Sequence, residues 1–327
     1  MDAISSWVVT DGKAGMESQC LGLAETLGLT PVVKRVRLRT PWRQFTPHFR
    51  LGGGMQFSSF GAALAPPWPD LLIATGRHSV AASLFVRRRS RRQGRGSITV
   101  QLQNPVISPR YFDLVVTPRH DELTGTNVVA TRGALHRITK AVLAEGAAKL
   151  APRVAQLPRP YIAFLAGGTN AAYQLTPAQM KTIAVGLAEA ARDLRGSLLV
   201  TPSRRTGVQC VAALREALAD IPHFLWDESG ENPYFGILGL ADFAVVTADS
   251  VNMVSEALAT AKPVYVADLP GGSRKFRRFH RLMREEGLTR RFEGALERYA
   301  YAPPDDMGDA AARVRTLLAA RGHKLPA

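Results

Sequence analysis

The sequence predicts an α/β fold in two units, each a parallel sheet flanked by helices, and three observations carry that prediction. Short apolar, β-branched runs alternate with helix-forming segments along nearly the whole chain, as in sheets built with crossover helices. A proline-rich stretch at 151–160 interrupts the alternation, which then restarts. At 327 residues, the chain is also longer than one core usually organises. The expected domains are 1–152 and 153–305, with 306–327 a terminal helix packing back across the hinge.

In the first half, 6–10 reads as a strand, 11–15 as a glycine loop and 16–27 as a helix closed by Gly28. Residues 32–38 form the next strand. The segment 41–69 is rich in proline, glycine and aromatics (Trp42, Phe45, Phe49, Phe57, Phe60 and Trp68) and is too long for a simple connection. Strand 71–75 follows, then a helix to Val86 and strands at 97–102 and 114–118. In the second half, strand 161–166 precedes a helix over 177–192, with Thr176 as N-cap and Pro177 at its first position. Strand 197–201, a helix to Leu218, strand 223–227, strand 243–247 and strand 263–267 complete the pattern.

The strand over 241–247 turns at Ala248-Asp249-Ser250 into a helix, and either Asp249 or Ser250 is its natural N-cap. Such a junction gathers unpaired N–H groups and the positive helix end at the carboxyl edge of a sheet, where α/β proteins bind phosphates. Glu256 shares a face with Asn252, placing a carboxylate beside a diphosphate at a distance suited to ribose hydroxyls. The alternative is an ordinary strand and capped helix with Glu256 solvated.

Three more second-half loops follow strands: Gly167-Gly168-Thr169-Asn170, Ser203-Arg204-Arg205-Thr206 and Asn232-Pro233-Tyr234. Paired glycines let backbone N–H groups approach an oxyanion, hydroxyls add donors, and Arg204 and Arg205 can neutralise a diphosphate. One such loop is usually only a turn; four in one array favour phosphate binding. Neither G-x-G-x-x-G nor G-x-x-x-x-G-K-[ST] occurs, which disfavours dinucleotide oxidoreductases and P-loop NTPases. In the first half, Asp11, Gly12, Gly15 and Gln19, then Arg77 and His78, then Gln103, and finally His120 and Asp121 also follow strands. Asp11, His78, His120 and Asp121 are candidate general bases for a hydroxyl nucleophile. Each histidine can equally be structural, and Asp11 can equally cap its glycine loop.

Net charge is +15, from 42 Lys+Arg against 27 Asp+Glu. This favours anionic partners, among them phosphorylated ligands, anionic membrane surfaces and nucleic acid. The run 87–95 lacks interleaved aromatics, which weakens the nucleic-acid reading; it is either a solvated helix end or a membrane-facing surface. A second basic cluster lies at 274–281. Cys20 and Cys210 stand far apart without metal-like spacing, so neither a disulfide scaffold nor a cysteine metal site is expected. With no leader or spanning segment read, the expected location is cytoplasmic, peripheral on the inner membrane face.

Several motifs together resemble the elongated-mitochondria family, named for a plant mitochondrial fission factor. They are Asp11-Gly12 with Gly15 and Gln19, Gly76-Arg77-His78, Pro118 with His120-Asp121, Gly133-Ala134-Leu135-His136, Ser203-Arg204-Arg205-Thr206, Asn232-Pro233-Tyr234, Asp249-Ser250, Met253, Ser255-Glu256-Ala257 and Lys275-Phe276 with Phe279-His280. The resemblance covers nearly the whole chain. It implies a GT-B-like architecture, two Rossmann-like domains with parallel sheets facing a central nucleotide-sugar cleft. The second half is similar to the donor domain of MurG-type glycosyltransferases. On that likeness Glu256 holds the ribose hydroxyls, Ser250, Met253 and Ser255 lie by the diphosphate and ribose, and Gly167, Gly168, Thr169 and Arg204 line the phosphates. Asn252 departs from the small hydroxyl residue common there. The expected activity is inverting glycosyl transfer from a nucleotide-diphosphate sugar, without metal or other cofactor, no D-x-D motif being present. An epimerase or hydrolase on the same fold, and a non-catalytic adaptor of the fission-factor type, are the alternatives.

Overall fold

The computed structural model describes residues 4–40, 44, 46, 57, 63–94 and 96–325. It separates into two compact units, Met1–Arg137 with Asp305–Ala327, and Ile138–Pro304.

The first unit holds a six-stranded, wholly parallel sheet of β1 (Ser6–Thr10), β2 (Val32–Arg35), β3 (Leu71–Thr75), β4 (Ile98–Leu102), β5 (Leu114–Pro118) and β6 (Val128–Thr131), in the order β2-β1-β3-β4-β5-β6. β1, β3, β4 and β5 are buried along their whole length, because a parallel sheet is covered on both faces and its inner strands must be apolar throughout. β2 stops short of its expected end, and Leu38 instead forms an isolated bridge with Phe57. Its helices include α1 (Ala14–Thr26) and α2 (Arg77–Arg92). Gly15 therefore lies in the first turn of α1 rather than in a loop.

The second unit contains α3 (Lys140–Val154), β7 (Tyr161–Ala166), α4 (Pro177–Leu194), β8 (Ser197–Pro202), α5 (Val208–Ala217), β9 (His223–Leu225), α6 (Tyr234–Leu240), β10 (Phe243–Thr247), α7 (Val251–Leu258), β11 (Val264–Ala267), α8 (Arg274–Glu285) and β12 (Arg290–Arg291). Its sheet is again wholly parallel, in the order β12-β11-β10-β7-β8-β9. The α4 start is as the sequence predicts: Thr176 and Gln179 form a reciprocal capping box with Pro177 behind the cap.

One assignment differs from the sequence expectation. α3 groups with the second unit, so the division falls after Arg137 and not at 152. The cause is a glycine contact with α6: a Cβ on Gly146 would lie 2.7 Å from Gly236 N, and one on Gly236 would lie 2.5 Å from Gly146 O. With backbones this close, Gly236→Ala is expected to destabilise the second unit by about 3 kcal/mol, read by urea unfolding. The last helix, α9 (Asp306–Ala319), belongs to the first unit. Its Ala310, Ala311, Val314 and Leu318 join Cys20, Leu23 and Leu27 in that unit's core, the i, i+4, i+8 spacing of an amphipathic helix. Asp306 Oδ1 and Oδ2 fasten it by accepting from Arg132 N at 2.9 Å and Gly133 N at 2.8 Å.

Candidate functional site

In each sheet the strand order reverses once, between β1 and β3 in the first unit and between β7 and β10 in the second. Ligands of open α/β sheets bind outside the carboxyl ends of strands at such a switch point. The Gly167-Gly168 loop follows β7 and Asp249-Ser250 follows β10, so two of the four predicted loops lie at the switch point of the second unit.

There the loops are tied together by one carboxylate. Asp249 is 3% exposed. Its Oδ1 accepts from Thr247 Oγ1 at 2.7 Å and its Oδ2 from Gly168 N at 3.0 Å. Arg205 Nη2 lies 2.8 Å from the same Oδ2. Thr247 Oγ1 in turn accepts from Gly167 N at 2.7 Å. The two glycines are required by proximity: a Cβ on Gly167 would sit 2.1 Å from Asp249 Oδ1, and one on Gly168 would sit 2.0 Å from Arg205 O. Thr206 Oγ1 closes the ring by donating to Ala166 O at 3.1 Å and accepting from Ser203 N at 2.9 Å, while Ser203 Oγ accepts from Arg205 N at 3.2 Å.

This arrangement changes the roles expected of several residues. Arg205 is engaged by Asp249, whereas Arg204 is exposed and has no hydrogen bond or ion pair among the described residues. Asn170 supports the loop, its Nδ2 donating to Asp249 O at 3.2 Å and its Oδ1 accepting from Ala172 N and Tyr173 N. Thr169 Oγ1 is occupied with the backbone of Leu175. Ser250, not Asp249, caps α7, its Oγ accepting from Met253 N at 3.3 Å. Ser255 is buried and donates to Val251 O at 2.8 Å within the helix, so its hydroxyl braces α7. From sequence Thr206 reads as one donor of its loop and Thr247 as the end of a strand, not as the braces they form here. Their position at strand ends beside acidic and glycine residues is too common a pattern to signal a role.

Two turns into α7, Glu256 Oε2 accepts from Tyr234 Oη at 2.6 Å. Asn232 Oδ1 accepts from Tyr234 N at 3.0 Å and from Thr201 Oγ1 at 3.4 Å, so it holds the start of α6 against β8. Burial pushes the Glu256 carboxyl up to about 7, opposed in part by the Tyr234 hydrogen bond, and pushes the Tyr234 hydroxyl well above its ordinary range. Glu256 therefore changes charge near neutrality.

In the first unit, Asp11 Oδ2 pairs with Lys13 Nζ at 2.7 Å, and Asp11 Oδ1 accepts from Lys13 N at 3.4 Å. It organises the glycine loop, where Gly12 has φ +86°. Gln103 Nε2 donates to Gln19 Oε1 at 3.3 Å. Arg77 is turned to backbone carbonyls, those of Thr46 and Gln44. His78, at the start of α2, is half-buried. His120 and Asp121 are buried together, His120 Nε2 lying 3.9 Å from Asp121 Oδ1 and Thr117 Oγ1 donating to Asp121 Oδ2 at 2.7 Å. Their side chains are each 2% exposed, so both are withdrawn from a hydroxyl arriving from solvent. Glu17 and Arg35 form an ion pair that sequence reasoning missed, with distances of 2.7 and 2.9 Å. The Arg35 guanidinium holds the Glu17 carboxyl below the usual range.

The basic run is partly structural. Arg87 lies 3.2 Å from Asp113 and donates to Tyr111 O at 2.5 Å, and Arg321 also reaches Asp113; Arg88, Arg89 and Arg92 are exposed. Of the aromatics at 41–69, Trp68 is buried near Trp7, and Phe57 packs on Phe85 at 5.4 Å between centroids. These two pack into the first unit's core. Trp42, Phe45, Phe49 and Phe60, like Arg95, lie outside the described residues. Among the described residues, no helix is long and apolar enough to cross a membrane, and no group of three or more His, Cys, Asp or Glu could hold a metal ion.

Two parallel sheets with loops gathered at their switch points define an α/β protein of the GT-B-like class, built from two Rossmann-like units. UDP-GlcNAc 2-epimerase from Neisseria meningitidis, solved bound to UDP-GlcNAc, shares this fold over 97% of this chain and 100% of its own, with TM-score 0.51 and 12% identity. Os79 from O. sativa, in complex with UDP, shares it over 95% of this chain and 91% of its own, with TM-score 0.51 and 12% identity. The chain belongs to the family described as Mitochondrial fission ELM1, whose sequence model matches residues 14–318. The Mitochondrial fission protein ELM1 of Arabidopsis thaliana is 32% identical over 292 residues, a match spanning 79% of this chain and 66% of the plant protein. The resemblance read from the motifs is thereby borne out.

Proposed function

We propose that this chain is an inverting glycosyltransferase that takes its sugar from a nucleotide-diphosphate donor and needs no metal ion. The observation that carries the reading is the switch point of the second unit. A glycine loop closed on Asp249, a Ser250-capped helix and the Glu256 carboxylate stand together where α/β sheets bind ligands. In this reading the open N–H groups of α7 and the uncommitted Arg204 receive the diphosphate, and Glu256 accepts from the ribose hydroxyls. The acceptor oxygen attacks the anomeric carbon, its proton passes to Asp11 or His78, and the bond to the diphosphate breaks with inversion. His120 is the third candidate base, but its burial makes it the weakest. The UDP-GlcNAc bound to the Neisseria meningitidis epimerase and the UDP bound to Os79, two proteins sharing this fold, support a nucleotide-sugar partner. The proposal includes a peripheral location on an anionic membrane surface and a lipid-linked acceptor, with Arg88, Arg89 and Arg92 as the exposed cations.

Calorimetry with uridine, guanosine and cytidine diphosphates tests the donor site. Saturable binding of at least one is expected, lost in Glu256→Ala; no binding by any would remove the transferase reading in favour of the adaptor. Without acceptor, sugar release from the bound donor would instead favour the hydrolase, and conversion of the donor to its epimer would favour the epimerase. Asp11→Asn and His78→Ala are each expected to leave nucleotide affinity intact, and the one that holds the base is expected to slow transfer about a hundredfold or more.

A further inference from the structure

The second basic cluster of the sequence is organised by α8. Arginines at 274, 277, 281 and 284 recur at intervals of three, four and three residues, which aligns them in one stripe along the helix. The opposite side carries Phe279 and Met283, both buried, so the helix is anchored with its arginines held outward. The stripe does not face open solvent only. With Arg278, and with Arg291 from β12, it lines a pocket of about 670 Å³, a size typical of ligand sites.

The lining comprises six arginines and one acid, Asp268. Arg291 is the residue paired with Asp268, its Nε at 3.0 Å. Arg277 Nη1 donates to Gly272 O at 2.8 Å, and Arg281 Nε lies 3.6 Å from Glu285. Arg274 and Arg284 have no hydrogen bond or ion pair among the described residues. Like charges three and four residues apart destabilise a helix, and crowding them around one carboxylate adds to the cost. A helix that merely needed solubility would alternate signs. Guanidinium forks match phosphate oxygens bidentately, so a polyanion relieves this repulsion.

We propose that this pocket binds a phosphate-bearing group of two or more negative charges, whether free or borne on a lipid headgroup. Its arginines follow β11 and β12 whereas Arg204 and Arg205 follow β8, and it borders the glycine loop through Tyr173, which also lines it, so Arg204→Gln serves to tell the two sites apart. It does not depend on the nucleotide reading.

Inorganic pyrophosphate is the probe, titrated calorimetrically into the full chain at about 0.15 M salt, where non-specific surface attraction is screened. A saturable site is expected that Arg274→Gln/Arg284→Gln weakens about tenfold or more. Arg204→Gln, and an Arg88→Gln/Arg92→Gln control that removes equal charge elsewhere, are expected to leave it in place. Because Arg274 and Arg284 are exposed and removing them relieves like-charge repulsion, the double variant is expected to melt no lower than the wild type. The proposal is overturned by absence of saturable binding, by equal weakening in the control, or by a site that Arg204→Gln removes and the double variant spares. Sedimentation with phosphatidate-containing vesicles separates the sources: retention that pyrophosphate competes away identifies a lipid headgroup, and pyrophosphate binding without retention identifies a soluble ligand, both upholding the pocket.

Discussion

Nucleotide affinity is expected to rise about tenfold between pH 6 and pH 8, and Glu256→Gln is expected to abolish that slope. Ribose hydroxyls donate hydrogen bonds, so Glu256 must accept with both oxygens, as a carboxylate. Burial raises its carboxyl to about 7, and below that value binding must first remove a proton, which weakens it about tenfold per pH unit. Tyr234→Phe removes a bond that stabilises the charged form and is expected to move the midpoint to higher pH. Stability runs the other way. A carboxyl raised in the folded state contributes stability that is fully present below the unfolded value of 4.5 and is lost as pH rises through about 7. Glu256→Gln should therefore stabilise the protein by about 2 kcal/mol more at pH 8 than at pH 5. Urea unfolding at the two pH values, beside calorimetry on the same samples, separates the two effects. A nucleotide affinity flat across this range would remove Glu256 from the ribose role.

Asp249→Ala is expected to cost about 3 kcal/mol and to eliminate nucleotide binding. The buried carboxylate satisfies Gly168 N and Thr247 Oγ1 and neutralises Arg205. Its removal leaves buried donors without a partner, each costing about 1–3 kcal/mol. Arg205 is partly exposed and can turn to water, which limits the loss on that side. Asp249→Asn keeps the shape and part of the hydrogen bonding, so it should fold nearly as well while weakening the Arg205 tether. If Asp249→Ala unfolds at the wild-type urea concentration, Asp249 does not hold the glycine loop.

Much of the fold was legible because it rests on local pattern. The buried strands β1, β3, β5, β7, β8 and β10 are short apolar runs whose character shows without any partner. The α4 capping box is complete within four residues. Several of the elements that were missed take their form from neighbours. β6 is only half-buried, β12 is two exposed arginines, and α6 is seven residues long and exists against α3. Family membership was also readable, since motifs and their order survive in the sequence itself.

The sequence by itself determined the parallel α/β class, the loops at strand ends and the presence of Glu256 on α7. Only the tertiary structure decided between Asp249 and Ser250 as the helix cap, because Asp249 is claimed by Gly168, 81 residues away, and Ser250 is left to cap α7. It likewise decided that Arg205 is engaged and Arg204 exposed, two adjacent residues of one type. It placed α3 in the second unit and α9 in the first. The physical reason is common to all of these. Periodicity and capping act over a few residues and are written locally, whereas an ion pair or a glycine contact is settled by which distant segment the sheet order brings alongside.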